Sequence, residues 1–127
     1  MFKVLVVDDT KSVHAFIKSL LGRIEGVALR PAMNGAEAVE IIKQGEEFDL
    51  VLLDWEMPIM NGPETLGRLK SLNVTYPVIM MTTKNSPSDI QAMLEAGAAE
   101  YIMKPFTVDI LFEKISFVTG KELSNAA

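Results

Sequence analysis

The sequence predicts a doubly wound α/β domain, a parallel sheet of five strands with helices on both faces. Short apolar runs recur along the chain, and each is followed by a segment whose apolar residues repeat at helical spacing. The connections between them are short and rich in Gly, Pro, Asn and Ser. Strands that alternate with helices pair in parallel, and the right-handed crossover rule leaves few topologies.

Val4-Leu5-Val6-Val7 is a continuous apolar run, as expected of a strand covered on both faces. Val13, Phe16, Ile17, Leu20, Leu21 and Ile24 then trace one face of a helix. A weaker strand, Val27 to Arg30, follows Gly26, and Asn34 is placed to cap a helix with Val39 and Ile42 inward. Leu50-Val51-Leu52-Leu53 is the second strong buried strand. Gly62-Pro63 opens a helix carrying Leu66, Leu69 and Leu72. Val78 to Met81 is the next strand, entered from Pro77. Ser86-Pro87-Ser88-Asp89 reads as a capping box for a helix with Ile90, Met93 and Leu94 inward, ending at Gly97. Tyr101-Ile102-Met103 is a short last strand. Thr107 caps a final helix with Leu111, Ile115 and Val118 inward, stopping near Gly120. One domain over residues 1–120 and a short polar tail over 121–127 are expected.

Composition narrows the function. The chain has 127 residues, 49% of them apolar and 23% charged, which suits one globular domain. It has no cysteine, so disulfides, zinc ribbons, iron–sulfur sites and thiol nucleophiles are excluded. Its single histidine, His14, leaves little for His-based metal sites or Ser-His-Asp catalysis, and is read as a flank residue of the first helix. A net charge of −5 argues against nucleic acid as the main partner. Neither a targeting signal nor a membrane span is visible, so a cytoplasmic protein is expected.

Each strong strand ends in a polar side chain: Asp8 and Asp9 after the first, Asp54 after the third, Thr82 and Thr83 after the fourth, Lys104 after the fifth. Doubly wound sheets bind ligands outside the carboxyl ends of their strands. Three carboxylates would thus share one edge with one ammonium. A hard divalent cation offsets the excess charge, and Mg²⁺ suits a site with few carboxylates and several waters. A metal, a lysine and a hydroxyl also match the oxygens of a phosphoryl group, and a carboxylate can attack phosphorus to form an acyl phosphate. The residues alone lead to a Mg²⁺-dependent phosphoryl site.

Val6-Val7-Asp8-Asp9, Asp54-Trp55-Glu56-Met57-Pro58-Ile59-Met60-Asn61-Gly62, Met81-Thr82 and the stretch from Gly97 through Tyr101 to Lys104-Pro105-Phe106 resemble the receiver domain of two-component response regulators. The resemblance spans nearly the whole chain, and its finer features are similar to the stand-alone chemotaxis regulators. It implies a flavodoxin-like sheet of order 2-1-3-4-5 with five helices. It implies that Asp54 is the phosphoacceptor for a sensor histidine kinase, in a switch rather than an enzyme, with self-directed phosphotransfer and autodephosphorylation. Asp9, Asp54 and the carbonyl of Glu56 would ligate Mg²⁺, with Asp8 acting mostly through a water on the ion. Lys104, across a cis bond to Pro105, would pair with a phosphoryl oxygen. Thr82 would move to the phosphoryl group and Tyr101 would rotate inward behind it. That movement would remodel the face of the fourth helix, fifth strand and fifth helix, where partners dock. Glu56 and Lys84 would form an ion pair over the site.

An enzyme reading remains open at this point, a haloacid dehalogenase-type aspartyl-phosphate phosphatase, though that class has an Asp-x-Asp nucleophile motif on its first strand. A phosphorelay intermediate is a further reading; a flavin carrier fits poorly with acidic Asp8-Asp9. The effect is expected to pass through a separate protein, such as a flagellar motor or another effector. A monomer is expected because no exposed apolar stripe is left over once the helices are assigned. Thr83 reads as a small neighbour, Trp55 as a half-exposed neighbour of the site, and the methionines as core filler.

Overall fold

A computed structural model describes residues 1–123. Ten elements alternate: β1 (Phe2–Val7), α1 (Lys11–Leu21), β2 (Val27–Ala32), α2 (Gly35–Lys43), β3 (Leu50–Asp54), α3 (Gly62–Ser71), β4 (Val78–Thr82), α4 (Pro87–Glu95), β5 (Glu100–Met103) and α5 (Val108–Thr119). The strands form one parallel sheet in the order β2-β1-β3-β4-β5. The doubly wound, flavodoxin-like expectation holds.

The period-2 geometry of a strand divides the core in two. Val4, Val6, Leu50, Leu52, Ile79 and Met81 join Ile17 and Leu21 of α1 and Leu111 and Ile115 of α5. Leu5, Val7, Val51, Leu53, Val78 and Met80 face the other way, onto buried residues of α2, α3 and α4. The central strands β3 and β4 are buried along their whole length. This is why they read as unbroken apolar runs rather than alternating ones.

Several local expectations need correction. Ile24 lies beyond α1, in the turn where its N–H bonds the carbonyl of Leu21. β2 runs on through Pro31, which a prediction stopping at Arg30 misses. β2 is an edge strand, where a residue with no N–H is tolerated. In α2 the buried residues include Ala38, Val39 and Ile41, while Ile42 is only half-buried. Asn61 caps α3 with a full capping box to Glu64, one residue before the predicted opening. In α4 only Met93 is buried, and Leu94 is 45% exposed. Ile110 and Phe117 of α5 are also exposed, so the premise behind a monomer does not hold. Leu123, within the expected polar tail, packs against the α1/α5 core. The rest of the expected tail, 124–127, lies outside the described residues. Among the described residues, no helix is long and apolar enough to cross a membrane.

Candidate functional site

The register of the sheet assembles the site. Val7 lies opposite Leu53, so Asp8 leaves β1 at the level of Asp54. Asp54 pairs with Met81, and Thr82 with Met103, which puts Thr82 and Lys104 at the same edge. Backbone bonds pin the exits: Asp8 N–H to the Ala32 carbonyl at 3.1 Å, Trp55 to Met81 at 2.9 Å, and Lys104 to Thr82 at 2.7 Å. The Lys104–Pro105 peptide is cis, as the sequence reading expected.

Lys104 is the centre of the charge network. Its Nζ lies 2.7 Å from Asp8 Oδ2 and 3.3 Å from Asp54 Oδ1. Asp8 is fully buried, and its other oxygen accepts from the backbone N–H and the hydroxyl of Thr10, at 2.9 and 2.7 Å. Both oxygens of Asp8 are therefore engaged. Asp54 is buried but has fewer partners: Lys104 and a backbone N–H from Glu56 at 3.3 Å. Asp9 is exposed at the mouth. Oxygens from Asp8, Asp9 and Asp54 lie within 4.8 Å of one another. Three carboxylates at that spacing against one ammonium can hold a cation with oxygen ligands.

The electrostatics single out Asp54. Burial, and then the charge of Asp8, raise its pKa to about 6, although Lys104 pulls the other way. Burial pushes Lys104 down, but the hydrogen bond to Asp8 and the charges of Asp54 and Asp8 outweigh it, so Lys104 is raised and stays protonated.

The remaining predicted residues surround this core. Thr82 is buried, and its hydroxyl oxygen accepts from the N–H of Lys84 at 2.9 Å. Lys84 Nζ and Glu56 Oε1 approach to 3.6 Å, both well exposed. Thr83 is exposed and Trp55 half-buried. Tyr101 is half-buried, with Lys114 Nζ 4.6 Å from its ring centroid, and Lys114 is also 3.3 Å from Glu100. Gly62 allows the chain to turn back: its N–H bonds the Trp55 carbonyl at 3.0 Å, and a Cβ there would lie 2.6 Å from Trp55 Cα.

Two contributors were missed. Thr10 stands at the N-cap of α1 and makes no side-chain cap bond; its hydroxyl donates to Asp8. His14, read as a flank residue, is half-buried with Nε2 2.8 Å from the Asp8 carbonyl oxygen, so it braces the turn. A Thr directly after Asp8-Asp9 was a usable signal; the reach of His14 back over one helical turn was not.

This fold and this edge of carboxylates, lysine and threonine define a class, and comparison with known proteins agrees. The family model described as the response regulator receiver domain matches residues 4–116, and the chain belongs to that family. It is a two-component response regulator, a phosphoacceptor switch rather than an enzyme of the phosphatase alternative. Among relatives, the chemotaxis protein CheY homolog of Campylobacter jejuni is 35% identical over 120 residues, covering 93% of this chain and 92% of the relative. Chemotaxis protein CheY1 of Helicobacter pylori is also 35% identical, over 93% and 97%. The structure of the Vibrio cholerae chemotaxis protein CheY4 superposes with TM-score 0.82 at 32% identity, covering 93% and 98%. A Francisella response regulator receiver domain superposes at 0.85 with 31% identity, covering 94% and 98%.

Proposed function

We propose that Asp54 accepts a phosphoryl group from the phosphohistidine of a sensor kinase. The observation that carries this is a buried, under-solvated Asp54 carboxylate beside Lys104, with two further carboxylates at the same edge. An Asp54 oxygen bonds to phosphorus as the phosphorus–nitrogen bond breaks, and the imidazole nitrogen keeps the electron pair. Lys104 then exchanges a carboxylate partner for a phosphoryl oxygen. Release is the reverse balance: a water oxygen bonds to phosphorus, the acyl-phosphate bond breaks, and inorganic phosphate leaves with Asp54 restored.

Asp9, Asp54 and the carbonyl of Glu56 would hold Mg²⁺, and Asp8 contributes less directly because its oxygens serve Thr10 and Lys104. When bound, the ion supplies positive charge to the phosphoryl oxygens. Thr82 donates its hydroxyl to the new group, and Tyr101 moves inward, leaving Lys114. The face of α4, β5 and α5 then changes shape, so a partner that prefers that shape binds the phosphorylated form. The names of the relatives support chemotaxis as the pathway.

The test is intact mass after incubation with acetyl phosphate, with and without Mg²⁺. One added phosphoryl group that requires Mg²⁺ is expected; an adduct that forms equally in chelator contradicts the metal's part. The Glu56–Lys84 pair is read as a lid on attacking water. Phosphoryl lifetimes that match the parent in both Glu56→Ala and Lys84→Ala would exclude that role.

A further inference from the structure

The loop from Trp55 to Asn61 holds a feature that neither the phosphoryl chemistry nor the core explains. Its ends are pinned by the Gly62-to-Trp55 and Trp55-to-Met81 hydrogen bonds. Met57 is buried within it and Met60 is half-buried against the core. At its tip, the Met60 N–H bonds the Pro58 carbonyl at 2.7 Å, closing a γ-turn on Ile59 with φ 71°. Turns of this hand are rare and strained, and a β-branched residue is a poor occupant of positive φ. Glycine or asparagine would make the same turn at less cost. The Ile59 side chain returns nothing to the fold, because it is 81% exposed. A strained, rigid turn thus presents an apolar side chain to solvent five residues from Asp54.

We propose that Ile59 is an apolar anchor for the protein that donates the phosphoryl group. The inference rests on Asp54 being the acceptor. Asp54 is only 6% exposed, so a donor must bring its phosphohistidine down between the loops at the carboxyl edge of the sheet. A protein donor therefore covers the β3–α3 loop; a small molecule does not. Part of the rim is also apolar, beside the exposed Asp9, Glu56, Thr83 and Lys84. Phe16, 39% exposed, and Pro105 line a hollow of about 320 Å³ beside Lys104. Ile59 offers a separate exposed apolar side chain on the β3–α3 loop, and its fixed turn removes the entropy cost of ordering an anchor on binding.

The experiment compares two donors on wild type, Ile59→Asn and Ile59→Leu. One is acetyl phosphate. The other is a purified, pre-phosphorylated histidine kinase chosen only because it transfers to the wild-type chain. Ile59→Asn should unfold about 2–6 °C higher as the turn relaxes, and should accept from acetyl phosphate at the wild-type rate. Its transfer from the kinase should fall roughly five- to thirtyfold, as for loss of an interface hot spot. The loss should appear in the concentration needed for half-maximal rate, and Ile59→Leu should restore most of it. An unchanged kinase rate in Ile59→Asn overturns the proposal. So does a parallel loss with acetyl phosphate, which would mean that the turn positions the site itself. Failure of the underlying acceptor reading looks different: wild type takes no label from acetyl phosphate, or Asp54→Asn still does.

Discussion

At the scale of single residues, Asp54 is the costly one. Its pKa is about 6 in the folded protein against 3.8 for an ordinary aspartate, with burial as the first cause and Asp8 the second. A raised native value means that the folded state binds the proton more tightly. The associated stability is complete below about pH 4 and is lost as pH rises through 6. Two units correspond to about 3 kcal/mol. In metal-free protein Asp54→Asn should therefore gain roughly 1–3 kcal/mol at pH 7 and almost nothing at pH 4. Urea unfolding in chelator at the two pH values reads this, and an equal gain at both would refute it. The exposed Glu56–Lys84 pair is a contrast, since screening leaves such pairs worth ~0–1 kcal/mol at most. Residue identity alone exposed Asp8, Asp9, Asp54 and Lys104 as a set, because charge directly after an apolar run is conspicuous. The bracing by His14 was not legible, since it depends on a ring reaching a backbone carbonyl.

Among the elements, α4 is the weakly held one. It buries Met93 alone, whereas α3 buries four residues, Gly62, Thr65, Leu66 and Leu69. An element with few buried apolar contacts opens at low free-energy cost. Backbone amides of α4 should exchange with solvent earlier than those of α3, measured by hydrogen exchange at neutral pH. Equal protection in both would remove the physical basis for remodelling on this side. Sequence periodicity had placed Leu94 inward, and the structure leaves it exposed at 45%. Period alone does not fix the width of the buried stripe; the neighbours do. The same limit explains Ile41 and Ile42, where adjacent isoleucines both fit a helical face and the fold buries Ile41 while leaving Ile42 half-buried. Elements buried on both faces, β3 and β4, were legible to within a residue because nothing polar interrupts them.

For the whole molecule, the site is a product of topology. Residues as distant as Asp8 and Lys104 meet because β1, β3, β4 and β5 run parallel and end together. The sequence alone therefore revealed the site only as far as it revealed the fold. A cation that binds the native cluster and not the unfolded chain must stabilise the whole domain. Saturation with Mg²⁺ to a hundredfold excess over Kd should add about 3 kcal/mol to unfolding. Asp54→Asn should gain much less. Thermal scans against Mg²⁺ concentration check this, and an identical rise in both proteins would place the ion elsewhere.

In the proposed switch the phosphoryl group sits on Asp54. The direct measurement is to phosphorylate the chain with acetyl phosphate, reduce it with borohydride and map the product by peptide mass spectrometry. Reduction of an aspartyl phosphate leaves homoserine. Homoserine at position 54 is the expected result. Homoserine at 8 or 9 with residue 54 untouched would contradict the account.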